Sequence, residues 1–108
     1  MQINLPSIIN QIVSAKGSDI HLTTGSKPIL RIKNRLVTLE ECEILSKSSL
    51  DELLSSMISQ EKIDALYNGK EQDFAYTFDE SNARFRVNAF IAQGCPNLVM
   101  RYLPSDIL

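Results

Sequence analysis

An α+β domain, an antiparallel sheet with helices over one of its faces, is what this 108-residue sequence predicts. Two observations carry the prediction. From Asp73 to Leu103, apolar and polar residues alternate with period 2, and the apolar ones fall into register when turns are placed at Asp79-Glu80-Ser81-Asn82 and at Gln93-Gly94. Upstream, stretches with apolar residues at helical spacing flank a run of short alternating segments between Ser18 and Leu39.

Taken in order, residues 5–16 place Leu5, Ile8, Ile9, Ile12 and Val13 on one stripe. Asn4 can cap this helix, Pro6 sits in the first turn where a missing N–H does little harm, and Lys16-Gly17 ends it, with the glycine free to turn left-handed. Ser18–Thr23 then alternates, Ile20 and Leu22 on one side, Asp19, His21 and Thr23 on the other. After a turn at Gly25-Ser26-Lys27-Pro28, Ile29–Lys33 resumes extension with Leu30 and Ile32 inward. Asn34-Arg35 is short enough for a hairpin turn before Leu36–Leu39, which completes a meander with Arg31, Lys33 and Arg35 close to one surface. Three charges in an acidic domain make a weak basic patch. Ser49 with Glu52 offers a capping box for a helix carrying Leu50, Leu53, Leu54, Met57 and Ile58. Ser59 caps a further short helix with Ile63, Leu66 and Tyr67 as core stripe, stopped by Asn68-Gly69.

In the last three strands Phe78 faces Ala83, Tyr76 faces Phe85 and Phe74 faces Val87; across the next turn Ala89 faces Leu98, Val87 faces Met100 and Phe85 faces Tyr102. The opposite face then carries Asp73, Ala75, Thr77, Arg84, Arg86, Asn88, Val99, Arg101 and Leu103. In this register Arg86 and Arg101 lie directly cross-strand, which is unfavourable unless an anion lies between or beside them. The plain alternative is that each is solvated or paired with a carboxylate such as Asp73 or Glu71. Pro96 cannot donate to a ladder, so the final strand is expected to begin after it or to carry a bulge.

Composition narrows the function. With 44% apolar residues the chain fits one domain with a modest core. Eleven basic against thirteen acidic side chains, a net charge of −2, argue against nucleic acid or an anionic membrane as the main partner. Cys42 and Cys95 are isolated and read as reduced cytoplasmic thiols. Neither a charged leader nor a long apolar run opens the chain, so no signal peptide or transmembrane segment is expected. His21 is the only histidine and has no second His or Cys at ligand spacing, which disfavours a metal; a hydrogen bond to Asp19 or a loop carbonyl, or a place at a domain junction, is the expectation. The four glycines are too dispersed for a phosphate-cradling loop, and no nucleophile–base set can be assembled, so no catalytic residue is assigned in this chain.

Gly17-Ser18-Asp19-Ile20-His21-Leu22, Gly25-Ser26-Lys27-Pro28-Ile29-Leu30-Arg31-Ile32, Ala83-Arg84-Phe85-Arg86-Val87-Asn88-Ala89-Phe90 and Val99-Met100-Arg101 together resemble the N-terminal domain of PilT-type pilus-retraction ATPases, members of the type II/IV secretion ATPase superfamily. The boxes occur in the family's order over nearly the whole chain. The departures are Gly17, where alanine is common, and Lys27-Pro28, where two prolines are common. Met1 lies seventeen residues before Ser18, as in the retraction type and unlike assembly ATPases with an additional N-terminal domain.

The resemblance implies a PAS-like domain over residues 1–103, with 104–108 opening a linker to a RecA-like ATPase domain whose phosphate-binding loop would lie about 30 residues beyond Leu108. It implies that the full-length parent binds ATP and Mg2+, while this chain has no cofactor of its own. It implies a homo-hexamer serving the pilus machinery in twitching motility, in which this domain contacts the ATPase domains of its own and the neighbouring subunit. The location would be cytoplasmic, attached at the inner face of the membrane through the machine. Arg86 and Arg101, with Arg84 as a weaker candidate, match arginines that approach the nucleotide's phosphates; Asp19 and His21 are domain-junction candidates. The competing expectation is a standalone PAS-like small-molecule sensor or protein-interaction module.

Overall fold

In the computed structural model, which describes residues 3–80 and 82–104, three helices and six strands alternate in the order the sequence predicts. Helix α1 spans Leu5–Ser14, followed by strands β1 (Asp19–Thr23), β2 (Ile29–Ile32) and β3 (Arg35–Thr38), helices α2 (Lys47–Met57) and α3 (Gln60–Tyr67), and strands β4 (Gln72–Phe78), β5 (Ala83–Ala92) and β6 (Cys95–Leu103). All six strands form one antiparallel sheet in the order β3-β2-β1-β6-β5-β4. The fold is α+β, consistent with a PAS-like domain. None of the described helices is long and apolar enough to cross a membrane.

The helices lie on one face of the sheet, α2 against β6 and α3 against β5. That covered face holds Ile20, Leu22, Leu30, Phe85, Val87, Ala89, Leu98 and Met100, all essentially without solvent contact, together with Ile8, Ile9 and Ile12 of α1. Phe85 and Tyr102 meet as predicted, with ring centroids 5.5 Å apart. The pairings expected from the apolar pattern of β4, β5 and β6 are all present, from Phe78 opposite Ala83 to Ala89 opposite Leu98.

Pro96 neither delays β6 nor shifts it: the strand begins at Cys95 and Pro96 pairs with Ile91. The turn explains this. Gln93 and Gly94 both have positive φ (54° and 75°), the signature of a two-residue hairpin turn. Ala92 and Cys95 close that hairpin as a hydrogen-bonded pair, so Ile91 and Pro96 form the next, non-hydrogen-bonded pair, where β5 asks for no N–H. On its other side β1 has already ended, its last pair being Thr23 with Asn97.

Four other expectations are corrected locally. Lys16, not Gly17, takes the left-handed conformation after α1 (φ 54°). The N–H groups of Lys16 and Gly17 close on the carbonyls of Val13 and Ile12, at 3.2 and 2.9 Å. Glycine is needed at 17 for space: a Cβ there would overlap Ile12 Cδ1 and come within 2.9 Å of the Arg31 carbonyl oxygen. The β2–β3 turn is Lys33-Asn34, both at positive φ (52° and 65°), one residue earlier than expected. Arg35 therefore pairs with Ile32 while Arg31 pairs with Leu36, which puts Arg31 and Arg35 on opposite faces and dissolves the basic patch. Helix α2 is capped by Ser46 with Ser49 as its reciprocal partner, each side chain accepting the other's backbone N–H at 3.1 Å, rather than by Ser49 with Glu52. Tyr67 leaves the core stripe of α3; its hydroxyl donates to Asp51 and its ring lies 5.0 Å from Lys47 Nζ. The cap of α3 by Ser59 and its stop at Asn68-Gly69 are as expected. The linker start at 104–108 lies, from residue 105 onward, outside the described residues.

Candidate functional site

The uncovered face of the sheet presents its side chains in rows perpendicular to the strands, because the pleat sends every second residue outward and the ladder aligns neighbours. One row runs Leu36, Arg31, Asp19, Arg101, Arg86, Ala75, crossing β3, β2, β1, β6, β5 and β4. Three guanidinium groups and one carboxylate thus stand side by side on consecutive strands.

The geometry of the row follows from the Gln93-Gly94 hairpin. Counting pairs back from Ala92 and Cys95, Arg86 and Arg101 fall in the hydrogen-bonded class, whose Cα atoms are about 5.5 Å apart. On the other edge of β6, Arg101 and Asp19 fall in the non-hydrogen-bonded class, about 4.5 Å apart, where side chains approach more closely. The bond from Tyr102 N to Ser18 O, 2.8 Å, brackets that pair as this parity requires. The cross-strand arginines are therefore in the predicted register, and Arg101 also has an acid on its far side.

Asp19 is buried (8% exposed) and approached from three directions: Ser18 Oγ donates to its Oδ2 at 2.8 Å, Arg31 Nε lies 3.8 Å from Oδ2, and Arg101 Nε lies 3.5 Å from Oδ1. Arg86 has no ion pair among the described residues. The carboxylates that the sequence offered as partners for the arginines are engaged elsewhere: the Asn88 amide donates to Glu71 Oε1 at 3.2 Å and to Asp73 Oδ1 at 3.3 Å. An open depression of about 380 Å³ lies over this part of the sheet, lined by Asp19, Arg86, Asn88, Val99, Arg101 and Leu103.

The adjacent row holds Ile29, His21, Val99, Asn88 and Asp73. His21 is half-buried there, its Nε2 has no hydrogen-bond partner, and its side chain bonds neither Asp19 nor a loop carbonyl among the described residues. Arg84 is opposite Leu103 and Thr77, exposed, and outside the depression. The structure thus gathers Arg86, Arg101 and Asp19, leaves His21 one row away and Arg84 at the rim. It adds Arg31 and Ser18, which sequence reasoning did not place there, and Asn88, which it placed on this face without a role. The signal that could have found Arg31 was its alternation with Leu30 and Ile32 in a hairpin with β1, which sets it beside Asp19; that this pair joins Arg101 depends on β1 docking against β6.

Two opposed guanidinium groups on an exposed face, one without a carboxylate, are suited to holding an oxyanion: the planar fork bonds two oxygens at once and its charge is permanent. The arrangement can bind and orient an anion.

No protein-family profile matches the chain, and no curated protein matches it. Solved structures do. The chain is similar to the pilus retraction motor PilT determined with bound ADP, at 27% identity and a TM-score of 0.84 over 99% of this chain and 31% of that one. It is similar to the ATPase DotB of Legionella pneumophila at 25% identity and a TM-score of 0.81, over 94% of this chain and 28% of that one. The DotB ATPase of Yersinia pseudotuberculosis matches in fold, with a TM-score of 0.77 and 22% identity over 96% of this chain and 30% of that one. The chain spans about a third of the length of the proteins it matches. In fold and in sequence it is similar over nearly its whole length to PilT- and DotB-type secretion ATPases, consistent with an N-terminal domain of such an ATPase.

Proposed function

We propose that this chain is the nucleotide-sensing and subunit-contact domain of a hexameric type IV pilus retraction ATPase of the cytoplasm, and that Arg86 and Arg101 reach toward the phosphates of ATP and Mg2+ held on a RecA-like ATPase domain. The observation that carries the reading is the opposed arginine pair on the uncovered face, with Arg86 lacking an ion pair among the described residues. Like charges directly cross-strand are unfavourable in the free domain, and a phosphate oxygen between them turns the repulsion into attraction. The domain then gains contact free energy only when nucleotide is present, which is what couples its position to the state of the motor. Asp19 and His21 lie on the same face, where the contacting ATPase domain would sit. The similarity to a retraction motor with bound ADP supports the substrate class.

The test is turnover in a full-length motor carrying this domain. Arg86→Ala and Arg101→Ala are each expected to lower the rate tenfold or more, since losing a hydrogen bond to a charged group is worth roughly 1.5–3 kcal/mol if it falls on the transition state. Unchanged turnover in both variants would overturn the assignment. The 108-residue chain by itself is expected to release no phosphate from ATP with Mg2+ and to sediment as a monomer or weak associate; Arg86-dependent hydrolysis would show that it does more than assist.

A further inference from the structure

The arginine row contains its own competitor for an anion. Asp19 faces Arg101 at 3.5 Å and Arg31 at 3.8 Å, both longer than the roughly 2.7–2.9 Å of a close charge-assisted hydrogen bond. Ser18 Oγ, at 2.8 Å, is the close contact that fixes the carboxylate. Arg101 is meanwhile 73% exposed in its side chain, so it is drawn toward β1 without being locked there.

We propose that Asp19 is a positioning residue that acts as a latch on the arginine pair: in the anion-free chain it draws Arg101 away from Arg86, and an arriving phosphoanion takes Arg101 over. This rests on the reading of Arg86 and Arg101 as phosphate ligands and adds the element that sets their affinity. Arg31 and Ser18 are what make the exchange feasible. A buried carboxylate stripped of its only cation would be strongly unfavourable, but when Arg101 moves to phosphate, Asp19 keeps Arg31 on one oxygen and the Ser18 hydroxyl with it. Three guanidinium groups without Asp19 would hold an anion more tightly; with Asp19 present, binding has to displace an existing ion pair. The latch thereby lowers affinity and favours release, as a site that must sense turnover requires.

Pyrophosphate titrated into the 108-residue chain at low ionic strength tests this, followed by NMR at the arginine Nε–H groups and the aspartate carboxyl carbons. The Arg86 and Arg101 signals are expected to shift along one isotherm, with the Asp19 carboxyl carbon moving in step. Asp19→Asn, of the same shape without the charge, is expected to tighten binding about tenfold. Asp73→Asn removes the same charge from the same face but touches Asn88 instead of an arginine, and is expected to tighten it less than threefold. Asp19→Ser carries the same expectation should circular dichroism show the Asn variant unfolded. Arginine signals that move while Asp19 stays still, or an Asp73→Asn effect as large as that of Asp19→Asn, would overturn the latch and leave the phosphate reading standing. No response at Arg86 or Arg101 in any variant would overturn both.

Discussion

Phe85 and Arg86 are neighbours in one strand, yet they belong to regions governed by different physics. Phe85, with Val87, Ala89, Leu98 and Met100, lies under the helices without solvent contact, where removal of apolar area from water dominates and each side chain is held by those around it. Arg86, with Arg101, lies on the uncovered face, where like charges oppose each other and nothing among the described residues neutralises one of them. The covered face is optimised for the fold. The open face keeps an unfavourable arrangement, and an unfavourable arrangement in a free domain is the mark of a surface completed by something else.

Breaking the covered face should have the largest effect. Phe85→Ala leaves a large cavity among residues with no solvent exposure and is expected to destabilise the domain by about 3–5 kcal/mol, read from urea or thermal unfolding. Gly17→Ala probes the seam where α1 meets the sheet. The new methyl would press on Ile12 and on the Arg31 carbonyl, and about 1–3 kcal/mol of destabilisation is expected. A neutral result would show that the seam yields easily.

The open face should respond weakly, and its two arginines unequally. Arg86→Ala removes repulsion alone and is expected to leave the domain as stable or more stable, by a few tenths of a kcal/mol up to about 1. Arg101→Ala removes the same repulsion but also the pair with Asp19, so it is expected to melt below Arg86→Ala by about 0.2–1 kcal/mol. Should Arg86→Ala prove as damaging as Phe85→Ala, Arg86 is a structural group and the contrast between the faces collapses.

Much of the architecture was legible because it follows from local pattern. Period-2 alternation together with two turns determined the pairing of β4, β5 and β6 residue by residue, including Arg86 opposite Arg101, since a one-residue slip would have turned every apolar side chain outward. Helical stripes and the caps Asn4 and Ser59 located α1 and α3 for the same reason. Local pattern failed where two signals competed within a few residues. Ser46 and Ser49 both suit a cap, and Lys33-Asn34 and Asn34-Arg35 both suit a turn; backbone geometry, which sequence does not display, chose between them.

What the sequence by itself determined, then, is the content of each hairpin: which residues face each other within a few positions of a turn, and hence the opposed arginines. What only the tertiary structure decided is that β1 docks against β6, bringing Asp19 beside Arg101 across eighty-odd residues of chain and drawing Arg31 into the same row. No turn joins those strands and no periodicity spans them. Their pairing depends on the whole apolar face of both hairpins being buried at once under the helices, so the partner of Arg101 is a property of the assembled core and of no segment within it.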